Sequence, residues 1–477
     1  MSDCLDRPPG QASPYDLAVI GNGSAAFSAA ITAAELGAQV AVVGDGTIGG
    51  TCVNVGCVPS KALIRATEAL HHASSASSKF AGVEAKGKVV DWAALVQQKD
   101  DLVTSLREAK YADVLPSYNN IAYVQGRAKL AAGGVRVDGK IIVAKKVIIA
   151  TGTRPSVPAI TGMSGVPYLT STTALELKEL PKSLLVLGGG YVGAELAQML
   201  ARAGVAVTLV FRSRLLPEAE PEIGEALTGY LIQEGVQVLG GVSYGDIRKT
   251  AEGIALVVEI EEQSRTLEAE RVLITTGRTP NSEGLDLAEL GVEVSAAGAV
   301  VINDRMRTTR EGVYAAGDVT GRDQFVYMAA YGAKLAAKNA LNSDSLAYDN
   351  RAMPAVVFTD PQVASVGYTE DAARAAGYQV RTSILTLNHL PRALAARDTR
   401  GLIKLVAHGA SRKLLGAHIL APEGADSIQT AAMAIRCELT IDDLGDAVFP
   451  YLTTVEGLKL AAQTFDRDVS KLSCCAG

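Results

Sequence analysis

Two glycine-rich turns, each lying between an apolar strand and a helix, constrain the fold of this 477-residue chain more than any other feature. The first, Gly21–Ala26, has the pattern G-x-G-x-x-A and follows the strand-like run 16–20. The second, Gly188–Gly193, has the pattern G-x-G-x-x-G and follows the run 183–187. A further strand comes after each helix, and in this context the glycines let a dinucleotide pyrophosphate approach the helix N-terminus. The pattern predicts an α/β fold with two Rossmann-like nucleotide-binding domains.

The residues that end the second strand of each unit differ, and they predict different nucleotides. In the first unit, the acid that would bind a ribose hydroxyl falls at Gly44, with Asp45 one place later. Either Asp45 makes that contact or the contact is weak. In the second unit, the strand 205–210 is followed by Arg212 and Arg214 without an acid. Arginine accommodates a 2′-phosphate, so the second unit is predicted to prefer NADPH over NADH.

The rest of the pattern divides the chain further. From residue 351 strands and helices alternate without a nucleotide fingerprint, which predicts a separate α+β domain, plausible for dimerisation. Helices are predicted over 62–74 and 91–113, and His71 and His72 are interpreted as surface or packing residues without a carboxylate partner. The predicted parts are a disordered leader (1–14), the first nucleotide-binding domain (15–160, completed by 281–350), the second nucleotide-binding domain (161–280) and a C-terminal dimerisation domain with a Cys-Cys tail (351–477).

Composition and charge argue against several classes of function. The net charge is −6 and the isoelectric point is about 5.6, which gives no reason to expect a nucleic-acid partner. The longest uncharged run, 17–34, contains Gly, Asn, Ser and Thr and is a poor membrane span. The first 14 residues lack the basic start and apolar core of a signal peptide. We therefore expect a cytoplasmic protein without membrane insertion.

Two cysteines five residues apart, Cys52 and Cys57, lie in a glycine-rich stretch that is followed by Pro59 and helix formers. At a helix start, unpaired backbone N–H groups and the helix dipole favour an anion, so a thiol there becomes a thiolate more easily. The thiolate can be a nucleophile or a ligand for a soft metal ion. Two buried core cysteines are the alternative interpretation, which the unusual flanking residues disfavour.

A second cysteine pair, Cys474 and Cys475, is followed by the last two residues of the sequence. Adjacent cysteines strain a mutual disulfide, but on a mobile terminus both can reach one metal ion. Thiolates select soft metal ions, and a flexible pair could pass such an ion to Cys52 and Cys57 by ligand exchange. The alternative is an accidental pair on a frayed tail.

The two nucleotide units, the C-x-x-x-x-C pair and the strand that ends in Gly317-Asp318 resemble the pyridine nucleotide–disulfide oxidoreductases over nearly the whole chain after residue 14. The resemblance implies a homodimer with FAD on the first unit and NADPH on the second. Electrons would pass from NADPH through the flavin to Cys52 and Cys57, with Cys57 against the flavin. Positions implied for FAD are Gly21, Gly23, Ala26, Gly46, Thr51, Lys61, Ala128, Asp318 and Val326, and those for NADPH are Gly188, Gly190, Gly193, Arg212 and Arg214. Lys61 would lie near the flavin N5, paired with Glu195.

One departure from the family limits the class of substrate that we expect. Relatives that act on thiol–disulfide substrates carry a His five residues before a Glu in the C-terminal domain, and this pair transfers the proton of the substrate thiol. Here Glu456 is present but the His position holds Tyr451. A phenol with a pKa of about 10 is a poor general base near neutral pH. The site is therefore not expected to serve a dithiol substrate.

Both cysteine stretches closely resemble those of the family members that reduce Hg(II). This resemblance implies NADPH-dependent, FAD-mediated reduction of Hg(II), supplied as thiol complexes, to volatile Hg(0). The C-terminal cysteines of one subunit would serve Cys52 and Cys57 of the other in a shared active site, with Tyr191 and Tyr451 beside the metal path. One alternative is an FAD-dependent disulfide reductase that relays electrons through the C-terminal dithiol. Another is a metal-sequestering protein with vestigial nucleotide folds.

Overall fold

The computed structural model describes residues 14–471. Two compact units are formed, each from three stretches of chain: 14–60, 97–156 and 278–348 build the first, and 61–96, 157–277 and 349–471 build the second. Cys474, Cys475 and almost all of the predicted leader lie outside the described residues. The domain boundaries at 160, 280 and 350 stay predictions.

The strands are short, as in most α/β proteins. In chain order they are β1 (Tyr15–Ile20), β2 (Val40–Gly44), β3 (Ile121–Gln125), β4 (Ala128–Ala131), β5 (Gly134–Val137), β6 (Lys140–Ile149), β7 (Thr153–Pro155), β8 (Leu169–Thr170), β9 (Ser183–Leu187), β10 (Ala206–Val210), β11 (Gln237–Leu239), β12 (Ser243–Lys249), β13 (Ile254–Ile260), β14 (Gln263–Ala269), β15 (Arg271–Ile274), β16 (Arg278–Pro280), β17 (Val313–Ala315), β18 (Pro354–Val357), β19 (Gln362–Gly367), β20 (Val380–Thr386), β21 (Leu402–His408) and β22 (Leu414–Ala421).

The α-helices are α1 (Ser24–Glu35), α2 (Gly50–Val55), α3 (Cys57–Lys79), α4 (Trp92–Arg107), α5 (Ser171–Ala174), α6 (Tyr191–Arg202), α7 (Pro221–Gln233), α8 (Val326–Leu341), α9 (Glu370–Ala375), α10 (Pro391–Ala395), α11 (Gly424–Arg436), α12 (Ile441–Asp446) and α13 (Glu456–Gln463). A π-helical turn, Glu108–Ala112, follows α4 directly. None of the helices within residues 14–471 combines the length and the apolar character needed to cross a membrane.

A seven-stranded sheet forms the centre of the first unit, in the order β3-β2-β1-β6-β5-β4 with β17 also pairing with β6. β1, β2, β3, β6 and β17 pair in parallel, and Val19 lies between Val42 and Ile148. Residues 17–20 are buried, as expected of a central parallel strand covered on both faces. Helix α1 consists largely of alanine and packs against α8, because small side chains let two helices approach closely.

The second unit contains three sheets. The sheet β11-β10-β9-β15-β8 is entirely parallel and carries the second glycine turn, with β12-β13-β14 forming an antiparallel sheet after it. The sheet β18-β19-β22-β21-β20 is antiparallel, and α11 and α13 cover it. The predicted fold class, with two Rossmann-like units and an α+β C-terminal region, is confirmed.

Two helix predictions differ from the structure. The helix predicted over 62–74 begins at Cys57 and continues to Lys79. Pro59 is tolerated because it lies in the first turn, and the Ser75 and Ser78 hydroxyls donate to backbone carbonyls one turn earlier instead of breaking the helix. The helix predicted over 91–113 ends as an α-helix at Arg107 and widens into the π turn.

Candidate active site

The first glycine turn leaves the start of α1 open for an anion. Gly21 has a φ of +141°, and a Cβ there would overlap the carbonyl oxygen of Ala150, which directly follows the neighbouring strand β6. Gly23 precedes α1 in extended conformation, and no side chain in the described part of the chain caps this helix. Its first N–H groups are therefore available for phosphate oxygens, which fits the pyrophosphate of FAD.

Several predicted FAD positions meet at this edge of the sheet. Gly50, at the start of α2, packs against Gly23 so closely that a Cβ at Gly50 would lie 2.5 Å from the Gly23 Cα. A Cβ on Gly317, after β17, would lie 3.1 Å from the Cβ of Ala25 and 3.3 Å from that of Ala329. The glycine turn, the residue before Asp318, and the first turn of α8 thus come together. Of the other predicted positions, Ala26 is buried in α1, Val326 begins α8, Thr51 is exposed on α2, Gly46 follows β2 and Ala128 begins β4.

At Gly44 the structure shows why no acid stands at the end of β2. A Cβ there would lie 2.6 Å from the Cβ of Asn22 and 2.7 Å from the hydroxyl oxygen of Tyr123 on β3. That hydroxyl is buried and has no well-formed hydrogen bond with any residue in 14–471, and burial raises its pKa. Asp45 is exposed, and its carbonyl oxygen accepts a hydrogen bond of 2.8 Å from the Asn22 side chain. The sequence did not indicate the aromatic residue that fills this place.

The two cysteines of the first pair lie on consecutive helices. Cys52 is half-buried on the short helix α2, and Cys57 is exposed at the start of α3. Gly56, between the helices, has a φ of −127° and a ψ of −111°. Exposure of Cys57 at a helix N-terminus is the setting in which a thiolate is stabilised and accessible.

Asp318 has two neighbours that the sequence analysis missed. Its Oδ2 accepts a hydrogen bond of 3.1 Å from the Thr153 hydroxyl, and the guanidinium of Arg278 donates to Thr153 Oγ1 at 2.7 Å and to the Thr153 carbonyl at 2.8 Å. Burial raises the pKa of Asp318, and burial lowers the pKa of Arg278. The similar runs 151–155 and 276–280 form the paired strands β7 and β16, and this repetition was the signal that could have revealed the pair.

Lys61 and Glu195 are in direct contact in the second unit. The Lys61 Nζ lies 2.7 Å from Glu195 Oε2, and its ammonium is 4.8 Å from the centre of the Phe358 ring. The other carboxylate oxygen of Glu195 accepts a hydrogen bond of 2.8 Å from the Phe358 backbone N–H. Glu195 is buried on α6, whereas the Lys61 side chain is 30% exposed. The ammonium is therefore fixed in direction while remaining accessible.

The second glycine turn is more tightly packed than the first. A Cβ on Gly193 would overlap the carbonyl oxygen of Gly188 and lie 2.8 Å from the Thr275 hydroxyl. Gly190 precedes α6 in extended conformation, and no described side chain caps the helix. The free N–H groups at the start of α6 fit the pyrophosphate of a second dinucleotide.

The two arginines after β10 have different surroundings. Arg214 donates to the carbonyl oxygens of Pro217 and Ala219 at 2.6 and 2.7 Å, so its guanidinium holds its own loop. Arg212 is exposed and has no hydrogen bond or ion pair with another residue in the range 14–471. Of the two predicted contacts to a 2′-phosphate, Arg212 is thus the one whose guanidinium remains available.

The two tyrosines assigned to the metal path lie in the second unit. Tyr191 is half-buried at the start of α6, where burial, followed by the charge of Glu218, raises its pKa to about 12. Tyr451 is 54% exposed. Glu456 is buried at the start of α13, and its Oε2 has no hydrogen-bond partner in the described part of the chain. Tyr191 therefore remains a neutral phenol at physiological pH.

The expectation that His71 and His72 lack carboxylate partners is wrong. Nε2 of His72 lies 3.3 Å from Asp360 Oδ2, which raises the pKa of His72, and Nε2 of His71 lies 3.9 Å from Glu234. Glu68, His72 and Asp360 could together offer ligands to a cation. Arg202 and Arg400 both pair with Asp360, so this cluster is arranged as an ion-pair network. The carboxylates come from distant parts of the chain and could not be assigned from sequence.

Comparison with protein families identifies the same pattern over most of the chain. The sequence model described as pyridine nucleotide-disulphide oxidoreductase matches residues 15–337, and the model of its dimerisation domain matches residues 353–462. The mercuric reductase of Staphylococcus aureus is 46% identical over 465 residues, 97% of this chain and 84% of that protein. The mercuric reductase of Streptomyces lividans is 46% identical over 469 residues, 97% of this chain and 98% of that protein.

Solved structures with the same fold include proteins with other names. The HOCl-induced flavoprotein disulfide reductase RclA of Escherichia coli, solved as a Cu(II) complex, superposes with a TM-score of 0.83 at 29% identity, covering 95% of this chain and all of that one. LpdA of Mycobacterium tuberculosis superposes with a TM-score of 0.83 at 26% identity, covering 94% of this chain and all of that one.

Proposed function

The chain belongs to the pyridine nucleotide-disulphide oxidoreductase family, and we propose that it reduces Hg(II), bound to cysteine thiolates, to Hg(0) at the expense of NADPH. Membership of this family implies FAD and NADPH as cofactors. The observation that carries the proposal is the accessible Cys52–Cys57 pair in a chain that matches mercuric reductases over nearly its full length.

The two glycine turns support the assignment of the cofactors. When bound, NADPH supplies a hydride and FAD passes on its two electrons. The N–H groups at the start of α1 would hold the FAD pyrophosphate, and those at the start of α6 would hold that of NADPH. Arg212 would bind the 2′-phosphate, while Arg214 keeps the loop in place. Asp318 would accept a hydrogen bond from a hydroxyl of the flavin side chain.

The proposed substrate chemistry is a series of thiolate exchanges. Hg(II) arrives with two thiolate ligands. Each Hg–S bond to Cys52 or Cys57 forms as the Hg–S bond to one of these two original ligands breaks. The displaced thiolates leave with the negative charge, so the ion is never released into water. Two electrons then convert Hg(II) to Hg(0), and both cysteine sulfurs recover the thiolate form.

Three residues of the second unit would take part in this chemistry. Lys61, held by Glu195 and the Phe358 ring, would direct its ammonium at the flavin N5. Tyr191 and Tyr451 would line the metal path, and Tyr191 would do so as a neutral phenol that neither traps the cation nor repels it.

The C-terminal pair would complete the site between subunits. The match to the dimerisation domain over residues 353–462 supports a homodimer. We propose that Cys474 and Cys475 of one subunit pass Hg(II) to Cys52 and Cys57 of the other. A cytoplasmic location agrees with this chemistry, because thiols stay reduced there.

The direct test is NADPH oxidation by the FAD-replete protein in the presence of Hg(II) and excess small thiol. We expect Hg(II)-dependent oxidation and release of volatile mercury, both lost in Cys52→Ser and Cys57→Ser. Absence of any Hg(II)-dependent oxidation by a protein that retains FAD would refute the proposal. Cys474→Ala with Cys475→Ala should slow turnover most when Hg(II) arrives on bulky thiols, and equal rates with every ligand would exclude the handover.

A second candidate is a disulfide reductase that relays electrons through the C-terminal dithiol. The fold shared with the flavoprotein disulfide reductase RclA favours it, whereas Tyr451 at the position of the proton-shuttling His disfavours it. Reduction of low-molecular-weight or thioredoxin-like disulfides faster than Hg(II) would establish this candidate in place of the first.

A further inference from the structure

The short helix that carries Cys52 is held by a side chain between the two cysteines. Asn54 donates hydrogen bonds of 2.9 Å to the carbonyl oxygens of both Ile48 and Gly50. Its Oδ1 accepts a third hydrogen bond, of 3.2 Å, from the guanidinium of Arg107. A six-residue helix has little stability of its own. Its orientation therefore depends on these outside contacts.

Arg107, the last residue of α4, is the partner from outside this segment. It is half-buried, and its second terminal nitrogen donates to the Thr104 hydroxyl at 3.3 Å. Within residues 14–471, no carboxylate lies at ion-pair distance from this guanidinium. Partial burial of a cation without a counter-ion costs free energy. The contact with Asn54 therefore places an uncompensated positive charge beside the helix that carries Cys52.

Tyr111, one turn further along, reaches the same segment from the π turn. This turn is closed by a hydrogen bond of 2.9 Å from the Asp113 N–H to the Glu108 carbonyl, five residues back. The Tyr111 hydroxyl lies 2.9 Å from that of Ser24, the first residue of α1, and its ring lies edge-on to Phe27 with centroids 4.9 Å apart.

The Tyr111 ring also packs against Gly49, the residue immediately before α2. A Cβ on Gly49 would lie 3.3 Å from the Tyr111 Cδ2. Burial raises the pKa of Tyr111, and the nearby charges of Cys52 and Cys57 raise it further. One side chain thus connects the start of the nucleotide-binding helix with the approach to the cysteine pair. π turns of this kind are frequent at functional sites.

We propose that Asn54, Arg107 and Tyr111 are positioning residues that fix the orientation of the Cys52–Cys57 pair relative to the start of α1. The inference rests on the proposed redox role of the pair. Electron transfer and thiolate exchange both require sulfur atoms held within a fraction of an ångström. The end of α4 and its π turn provide that rigidity, since α2 is too short to provide it alone.

The first test uses Tyr111→Phe, Arg107→Lys and Arg107→Leu in the FAD-containing protein. The control is Lys110→Leu, which removes an exposed positive charge from the same π turn. We expect Arg107→Leu to speed alkylation of the half-buried Cys52 in the thiol-reduced protein by about fivefold or more, since a loosened α2 exposes it. Arg107→Lys, which keeps the charge and a donor, and Tyr111→Phe should give smaller increases, and Lys110→Leu none.

The second measurement is the long-wavelength absorbance that a cysteine thiolate produces in contact with flavin. We expect this absorbance to weaken in Arg107→Leu and Tyr111→Phe, with kcat lowered about tenfold in Arg107→Leu and KM for NADPH unchanged. Wild-type values for all three variants in both measurements would overturn the inference. If Arg107→Leu does not fold, the other two variants decide it. Failure of the wild type to oxidise NADPH with Hg(II) refutes the proposed function instead, because alkylation and absorbance do not require Hg(II).

Discussion

The two glycine turns share the same backbone arrangement, but they differ in whether a side chain fits at the last position of the motif. Both present an uncapped helix start preceded by an extended glycine. In the first turn the final motif position is Ala26, whereas in the second it is Gly193, where a Cβ would overlap the Gly188 carbonyl. An aromatic ring also lies against a glycine in each unit: Tyr123 on β3 lies against Gly44 at the end of β2, and Phe211 lies against Gly189 in the second turn. We therefore expect the shared motif to bind a pyrophosphate and the side chains beyond it to select the rest of the nucleotide.

The largest effect is expected at the last motif position. Gly193→Ala forces the helix away from the turn, which should cost about 1–3 kcal/mol and weaken NADPH binding tenfold or more. FAD content should not change. The measurement is the dissociation constant of NADPH together with the flavin absorbance. The matched change in the first turn, Ala26→Gly, should leave NADPH binding at the wild-type value. Wild-type NADPH affinity in Gly193→Ala would show that the second turn accommodates a Cβ at its last motif position, as the first turn does.

The next prediction distinguishes the roles of the two arginines that follow β10. Arg212→Ala should raise KM for NADPH by about 10- to 100-fold through the loss of a charge-assisted hydrogen bond, and leave KM for NADH nearly unchanged. Arg214→Ala should weaken both dinucleotides, because this residue holds the loop carbonyls. Steady-state kinetics with both cofactors provides the comparison. An equal loss with NADPH and NADH in Arg212→Ala would contradict the assigned contact.

A third prediction tests why the first unit lacks an acid. Gly44→Glu should lower the free energy of unfolding by about 1–3 kcal/mol, because its Cβ meets both the Asn22 Cβ and the Tyr123 hydroxyl. In a Tyr123→Ala background the same change should cost less, because only the contact with Asn22 remains. The double variant should also bind FAD several-fold more tightly than Tyr123→Ala, because a carboxylate can then reach a ribose hydroxyl. Denaturant unfolding and FAD titration measure the two effects. Additive losses would mean that Tyr123 does not exclude the acid.

The smallest effect concerns Asp318, which has no counterpart described at the second turn. Burial raises its pKa above the unfolded value of about 4, because the folded state favours the protonated carboxyl. The free energy of unfolding is therefore highest below pH 4, where Asp318 is protonated in both states. It falls as the pH rises through the folded pKa. In Asp318→Asn this loss disappears, so the FAD-free variant should gain stability over wild type as the pH rises above about 4. Asp113→Asn, at an exposed site, is the control and should follow wild type. A parallel pH profile for Asp318→Asn would contradict the prediction.

Local sequence patterns were sufficient to predict the fold class and the elements around both turns. Glycines followed by small helix formers leave few other conformations, and contiguous apolar runs indicate buried parallel strands. The contact between Lys61 and Glu195 was implied by family resemblance, because 134 residues separate them in the chain.

The contacts that the sequence did not reveal all join distant segments. Thr153 reaches Asp318 across 165 residues, and His72 reaches Asp360 across 288. No local periodicity encodes such pairs, since they depend on how the strand ends meet. Tyr123 at Gly44 was missed for a related reason: a phenol on a neighbouring strand occupies space that the sequence shows only as a missing acid.

The pairing of β17 with β6 has a consequence for synthesis of the protein. Ile149 lies opposite Ala315, so the central sheet of the first unit stays incomplete until more than three hundred residues have left the ribosome. At ~5–20 residues per second, synthesis from Ile149 to Ala315 takes on the order of 10 to 30 s. During that interval one edge of β6 is exposed, and the segment with Asp318 has not yet been made. We therefore expect flavin to load late in translation, after the parallel sheet of the second unit has been synthesised in full.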